Sequence, residues 1–400
     1  MNRRRSLSLA LGSLALATGC RRKEEVAVAP AEPTPAPPPA PVKPLEGADL
    51  VPAKIDASLE IRTITGLRPF RPSGYVVRRE EREGKTLVHN YGHGGGGITL
   101  SWGCADQAMR TMESVSGLSC AVIGGGVMGL TTARMLQLRG AKVKIYTDHL
   151  PPDTTSNVAG GHWWPVSVFD SSKRTPEFAA QFVEASRFAY RYFQRLVGPR
   201  WGVRWVPSYY LSDGAPDNGW MAGPGGVLHD TQVGFKDFGP GEHVFPAQYA
   251  RRFHTLLIEP SIYLETLLRD VQGAGGEIEI RRFASAEEIL KVPEQTIFNC
   301  TGLGARELFK DEELIPVKGQ LSFLKPQTEV NYNLLLGSYY MFSRGDGLLL
   351  GGTFDRGQWD LTTDDAVKRR VIEGQKRIFD AMAKTRHEHL AALAKQHTPI

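Results

Sequence analysis

The chain has 400 residues, 41% of them hydrophobic and 23% charged, which is the composition of a globular protein large enough for one big or two interleaved domains. Its net charge is only +5, and much of the excess lies in two clusters near the start, Arg3-Arg4-Arg5 and Arg21-Arg22-Lys23. The body therefore lacks the basic surface that nucleic-acid binding requires, and that class of partner is excluded.

Residues 1–20, MNRRRSLSLALGSLALATGC, have a charged start, a short Leu/Ala run and a small-residue end, the build of an export signal. The run is too short for a comfortable membrane span. Its Ala-Thr-Gly-Cys end resembles a bacterial lipoprotein signal, in which Cys20 would be lipidated, and the arginines before Ser6-Leu7 resemble a twin-arginine signal. The expected location is periplasmic or cell-envelope, with a lipid anchor at Cys20 holding the chain to a membrane. Residues 21–57 are dense in Pro and Ala with no periodic apolar face, and are expected to form an extended tether. Cys104, Cys120 and Cys300 lie in or beside apolar runs without metal spacing, so they read as buried small residues, and no metal site is expected.

Two glycine-rich turns follow. The first is VHNYGHGGGGITLSWGCA, Val88 to Ala105, in which Gly94, Gly95, Gly96 and Gly97 lead into Ile98, Thr99 and a helix extending to Met112. The second begins with an apolar strand, LSCAVI, and continues as Gly124-Gly125-Gly126-Val127-Met128-Gly129, a helix with apolar spacing, and the strand KVKIYTD ending in Asp148. Strand, tight turn, helix, strand and acid in that order form a dinucleotide fingerprint: Gly124 permits the turn, Gly126 lets the backbone approach a pyrophosphate, Gly129 lets helix and strand pack, and Asp148 accepts from a ribose hydroxyl. NAD and FAD both use this device. Beyond it, Thr154, Thr155 and Ser156 offer hydroxyls to phosphates, while Gly160 and Gly161 let a planar ring lie against the backbone ahead of His162. The strand TIFNCTGLGA then brings Thr301 and Gly302 to the carboxyl edge of the same sheet, where open parallel sheets keep their ligands.

IYTDHLPPDTTSNVAGGHWWP, YLETLLRD, NCTG, TGLRPFRP and the Val88–Ala105 block together resemble the D-amino-acid oxidase family. That resemblance implies a glutathione-reductase-like Rossmann fold, FAD as cofactor, an amino-acid substrate and molecular oxygen as acceptor. The implied reaction is oxidative deamination to a 2-oxo acid, ammonia and hydrogen peroxide. In the family the GLRP and HNYGHGG blocks close the chain, whereas here they precede the fingerprint, so the sequence reads as a circular permutation joined by the connector MESVSGLS. The resemblance covers residues 60–112 and 119–385.

It also assigns roles. Arg68 matches the arginine that binds the substrate carboxylate, Tyr340 a hydroxyl beside that carboxylate, and Gly95 a backbone carbonyl for the amine. The helix opened by Gly94 to Gly97 would point its amino end at the flavin, whose reduced form is stabilised by partial positive charge and free backbone donors. His149 reads as a solvent or ribose contact and His89 and His93 as structural, while His162, closing the glycine loop, is assigned to the cofactor with a structural role as its alternative. Three departures point to a less covered site: Leu336 stands where a lid tyrosine is usual, Gly96 where a tyrosine is frequent, and Val166 where an aromatic is common. A glycine or secondary-amine oxidase, or a flavin-containing binding protein, remains compatible with these changes.

The expected fold is α/β, with a mostly parallel FAD-binding layer interleaved with a mixed-sheet substrate domain. Residues 58–115 form the permuted segment and 116–165 the Rossmann unit. Residues 166–245 and 306–385 are assigned to the substrate domain, 246–305 return to the FAD domain, and 386–400 are a tail.

Overall fold

A computed structural model of the protein describes residues 42–396. The expected export signal, Cys20 and the expected tether as far as residue 41 lie outside the described residues. Strand β1 (Glu60–Phe70) leads into a hairpin, β2 (Val76–Arg82) and β3 (Lys85–Tyr91), whose two-residue turn puts Glu83 and Gly84 at φ +50° and +75°. The first glycine turn then opens helix α1 (Gly97–Arg110). A strand-helix-strand unit follows: β4 (Ser119–Ile123), α2 (Val127–Leu138) and β5 (Lys142–Thr147).

Helix α3 (Pro176–Gln194) starts where Thr175 accepts from the Phe178 amide and Pro176 needs no donor. Then come β6 (Val203–Ser212), β7 (Val233–Phe238), β8 (Tyr249–Ile258), α4 (Pro260–Gly273), β9 (Glu277–Ile280), the single-turn α5 (Ala286–Ile289), β10 (Thr296–Asn299) and the single-turn α6 (Ala305–Leu308). The last stretch is an antiparallel run of β11 (Ile315–Leu324), β12 (Asn333–Leu336), β13 (Tyr339–Arg344), β14 (Gly347–Gly351) and β15 (Asp355–Arg356), closed by the long helix α7 (Asp365–Gln396).

These strands sort into two sheets. One has the order β2-β3-β10-β4-β5-β9 and is parallel except for β2. Its central strands are buried on both faces: Val88, Cys120 and Val122 join the core beneath α1, α2 and α4, while Leu87, Ala121, Ile123 and Ile297 pack on the opposite side. The other sheet runs β1-β11-β14-β13-β12-β6-β8-β7, with β15 added to β11, and is antiparallel except where β12 meets β6. It alternates cleanly. Leu334, Met341, Leu350 and Leu324 face α7 through Val371, Phe379 and Met382, whereas Leu321, Phe323, Phe342 and Leu349 face the cofactor-loop residue Val158. The fold is the expected α/β pair of interleaved layers. Residues 58–115 contribute to both, with β1 in one sheet and β2 and β3 in the other.

Three expected boundaries move. Residues 42–57 are not tether: Ala53 and Ile55 are buried, and Glu46 accepts from Tyr209 and pairs with Arg252. The Pro-rich composition of the preceding stretch masks this short docked segment, which packs Leu45, Leu50, Ala53 and Ile55 into the core beside α7 and satisfies two polar groups of the second sheet. Residues 386–396 are not a tail but the last turns of α7, where His389 is buried and accepts from the Leu45 amide. Residue 246 is also too early for the return to the FAD layer, because β8 pairs with β6 in the mixed sheet and the return begins at α4. Cys104, Cys120 and Cys300 are free and buried, as their apolar surroundings imply.

Candidate active site

A cavity of about 680 Å³ lies along the carboxyl ends of β4, β5, β9 and β10, the edge at which parallel sheets present ligands. Its first wall is the fingerprint turn. Gly124 takes φ +118°, and a Cβ there would lie 2.5 Å from the Cys300 carbonyl oxygen. Gly126 faces open space bordered only by Ser156 Oγ, 3.3 Å from a Cβ position, so the space in front of the turn is free. Helix α2 has no side-chain cap on its N-terminal residue; instead the Val127 amide donates to Ser156 Oγ at 3.0 Å. Gly129 does not line the cavity. A Cβ there would sit 1.9 Å from the Gly124 carbonyl oxygen, so this glycine sets the helix-to-strand approach, as its place in the fingerprint requires.

Strand β5 delivers Asp148 and His149 to the rim, and the next loop adds Thr154, Thr155, Ser156 and Gly160. The end of β10 brings Thr301 and Gly302. Here Asn299 accepts from the Thr301 hydroxyl at 2.8 Å and donates to Nδ1 of buried His89 at 2.9 Å, which gives His89 a structural role. The first glycine turn forms the facing wall, where Gly94, Gly95, Gly97 and Ile98 line the same space as Gly124 to Met128. The N-terminal residue of helix α1 likewise caps the helix with no side chain, so the start of α1 presents backbone rather than side chains to the cavity. The two glycine turns thus serve one site.

Arg68, on β1, lines this cavity as well, and its Nη1 is buried without a hydrogen-bond partner. A buried guanidinium nitrogen without an acceptor is costly unless a ligand supplies one. Tyr340 does not reach the cavity wall. It lies against Arg68, its hydroxyl raised in pKa by burial and held back in part by that guanidinium.

Four other expected contacts fall outside the lining. Gly96 packs on Val168, and Thr99 is buried within α1. Gly161 is pinned to β8, its carbonyl accepting from the Ile258 amide at 2.8 Å. His162 turns away from the cavity: its Nε2 meets Ser208 Oγ at 3.1 Å, its ring stacks on Phe342 at 5.0 Å, and burial drives its pKa down to about 3. It is a packing residue. His93 lines the cavity but is buried and stacked on Tyr75 at 4.8 Å, with its pKa also lowered to about 3.

Sequence reasoning missed Arg281, Arg282, Asp153 and Glu307, which also line the cavity. The two arginines follow β9 directly, so recognising EIEI as a strand of the parallel sheet would have placed them at its ligand edge.

The model of a family described as FAD dependent oxidoreductase matches residues 119–396. The chain belongs to that FAD-dependent oxidoreductase family. A D-amino-acid oxidase of Streptomyces coelicolor is 31% identical over 258 residues, 63% of this chain and 74% of that one. Human D-aspartate oxidase is 29% identical over 260 residues, covering 63% and 73%. A glycine oxidase structure from Geobacillus kaustophilus, at 14% identity and TM-score 0.51, covers 67% of this chain and 80% of its own, a likeness of fold. This FAD-dependent oxidoreductase has residues that suit its cofactor: an open glycine cradle before Gly126, the start of α1 without a side-chain cap, and Asp148 directly after β5. The fingerprint wall would hold the pyrophosphate, and the start of α1 the electron-rich side of the ring.

Proposed function

We propose that this chain oxidises D-amino acids to 2-oxo acids, ammonia and hydrogen peroxide. The observation that carries the reading is the unpaired, buried Nη1 of Arg68, which lines the same cavity as both glycine turns. In this reading the planar guanidinium takes both oxygens of the substrate carboxylate, and the Tyr340 hydroxyl steadies the guanidinium it touches. The Gly95 carbonyl accepts from the substrate amine, which orients the α-carbon for transfer. Bound FAD supplies the chemistry of accepting a hydride equivalent and passing its electrons to oxygen. Water then hydrolyses the imino acid to the 2-oxo acid and ammonia. The names of two relatives near 30% identity, a D-amino-acid oxidase and a D-aspartate oxidase, support D-amino acids as the substrate class.

Peroxide release from the FAD-loaded protein with a panel of D-amino acids, L-amino acids, glycine and sarcosine tests this reading. Turnover of D-amino acids is expected; turnover confined to glycine and sarcosine would replace it with a glycine or secondary-amine oxidase. That alternative draws on Leu336, half-buried at the end of β12 where the resemblance places a lid tyrosine.

The circular permutation belongs to the same proposal. It is supported by the family match beginning at residue 119 while β1, β2 and β3 complete both sheets, and by α7 ending beside residues 42–48, where Arg386 donates to the Ala48 carbonyl at 2.8 Å. Export and a lipid anchor at Cys20 rest on the composition of residues 1–20. Membrane fractionation of the wild type against Cys20→Ala tests them.

A further inference from the structure

On the cofactor-facing side of the mixed sheet, alternation places Ile64, Gly66, Arg68 and Phe70 of β1 in one column, with Val317, Gly319 and Leu321 of β11 beside them. Cross-strand partners share a face, so the pairings Gly66↔Gly319, Leu321↔Gly351 and Gly351↔Tyr340 extend this surface across four strands. Three of its positions have no side chain. Each bare position is filled from elsewhere. A Cβ on Gly66 would lie 2.8 Å from the Val158 side chain, one on Gly319 would lie 2.4 to 2.7 Å from the Arg68 guanidinium, and one on Gly351 would lie 1.9 to 2.3 Å from the Tyr340 ring and hydroxyl.

The backbone conformation does not demand glycine at these places, since none of the three has φ in the left-handed range. Glycine inside a strand weakens it and loses packing, so three on one face call for a different reason. Close approach of a side chain to the backbone supplies one. The Arg68 guanidinium lies back over Gly319, and the Tyr340 ring lies flat over its partner Gly351. Because Gly319 and Gly351 flank Leu321 on this face, the guanidinium and the phenol come together.

We infer that Gly319 and Gly351 are positioning residues for carboxylate recognition, the bare floor on which Arg68 and Tyr340 lie side by side. This rests on the reading of Arg68 as the carboxylate receptor. A methyl group at position 319 would lift the guanidinium off the sheet, and one at 351 would tilt the phenol away from it. Either shift would spoil the planar bidentate geometry that an arginine needs, without touching the nucleotide wall.

The test measures the dissociation constant of propionate, as a bare carboxylate probe, by its perturbation of flavin absorbance in the FAD-loaded protein. FAD content, Tm and the separate values of KM and kcat are recorded alongside. Gly319→Ala is expected to keep FAD and to weaken propionate tenfold or more, with KM rising by a similar factor. In an Arg68→Ala background the same change should cost less than twofold, because the group it displaces is gone. Equal losses in both backgrounds, or an unchanged propionate constant in a folded Gly319→Ala protein, would overturn the inference.

If Gly351→Ala alone lowers Tm or fails to fold, adding Tyr340→Ala should restore folding by clearing the ring from over position 351. Failure of that rescue counts against the inference. Should Arg68→Ala itself leave propionate binding intact, the fault lies with the carboxylate-receptor reading rather than with the glycine floor.

Discussion

Arg68 combines positive charge with a buried, unpaired Nη1, so its removal is expected to act on the substrate and not on the cofactor. Arg68→Ala should raise the apparent KM by about 100-fold while leaving bound FAD unchanged, as losing a desolvated charge pair costs roughly 2–5 kcal/mol. Steady-state kinetics beside the flavin absorbance of the purified variant check both halves. His93 makes a different kind of prediction. Burial holds its folded-state pKa at about 3 against an ordinary 6.5, so unfolding takes up a proton that the folded chain refuses. Its contribution is therefore complete above pH 6.5 and is lost as pH falls toward 3, by about 1.4 kcal/mol per pH unit. Replacing it with Phe, which can keep the stack on Tyr75, should flatten that part of the stability profile measured by urea unfolding. An identical slope in the variant would assign the acid sensitivity elsewhere.

At the scale of elements, the fingerprint unit was the most legible part of the chain, because β4, α2 and β5 carry their instructions locally: an apolar strand, a turn needing glycine, and a helix with apolar spacing. Gly126→Val should abolish FAD binding, since the branched side chain would occupy the space left open in front of the turn; a variant purified yellow at full stoichiometry would refute it. Other features were beyond reach. Arg281 and Arg282 depend on β9 joining β5, a pairing that four residues of alternating Glu and Ile do not announce. His162 follows two glycines in a cofactor-like loop, yet its isolated bridge to Leu257 turns its ring onto Ser208 and Phe342, a tertiary outcome invisible in the local pattern. The register of Tyr340 against Gly351 belongs to the same group, because only the sheet shows which residue faces the phenol.

For the whole molecule, the segment before β1 is part of the folded body. A chain beginning at residue 42 should be more stable than one beginning at residue 58, by about 3 kcal/mol, because the shorter one exposes the pocket of Ala53 and Ile55 and leaves Arg252 and Tyr209 without Glu46. Thermal unfolding of the two FAD-loaded truncations measures this, and equal Tm values would return residues 42–57 to a passive role. The placing of β1 and β3 has a further consequence for how the protein is made. Both leave the ribosome early, yet their lateral partners, β11 and β10, start only at Ile315 and Thr296. At 5–20 residues per second, Lys85–Tyr91, paired at first only with β2, waits roughly 10–40 s for the neighbour on its other edge. The growing polypeptide must spend that interval shielded by a holdase or buried in provisional contacts, and neither sheet can close until the second half of translation.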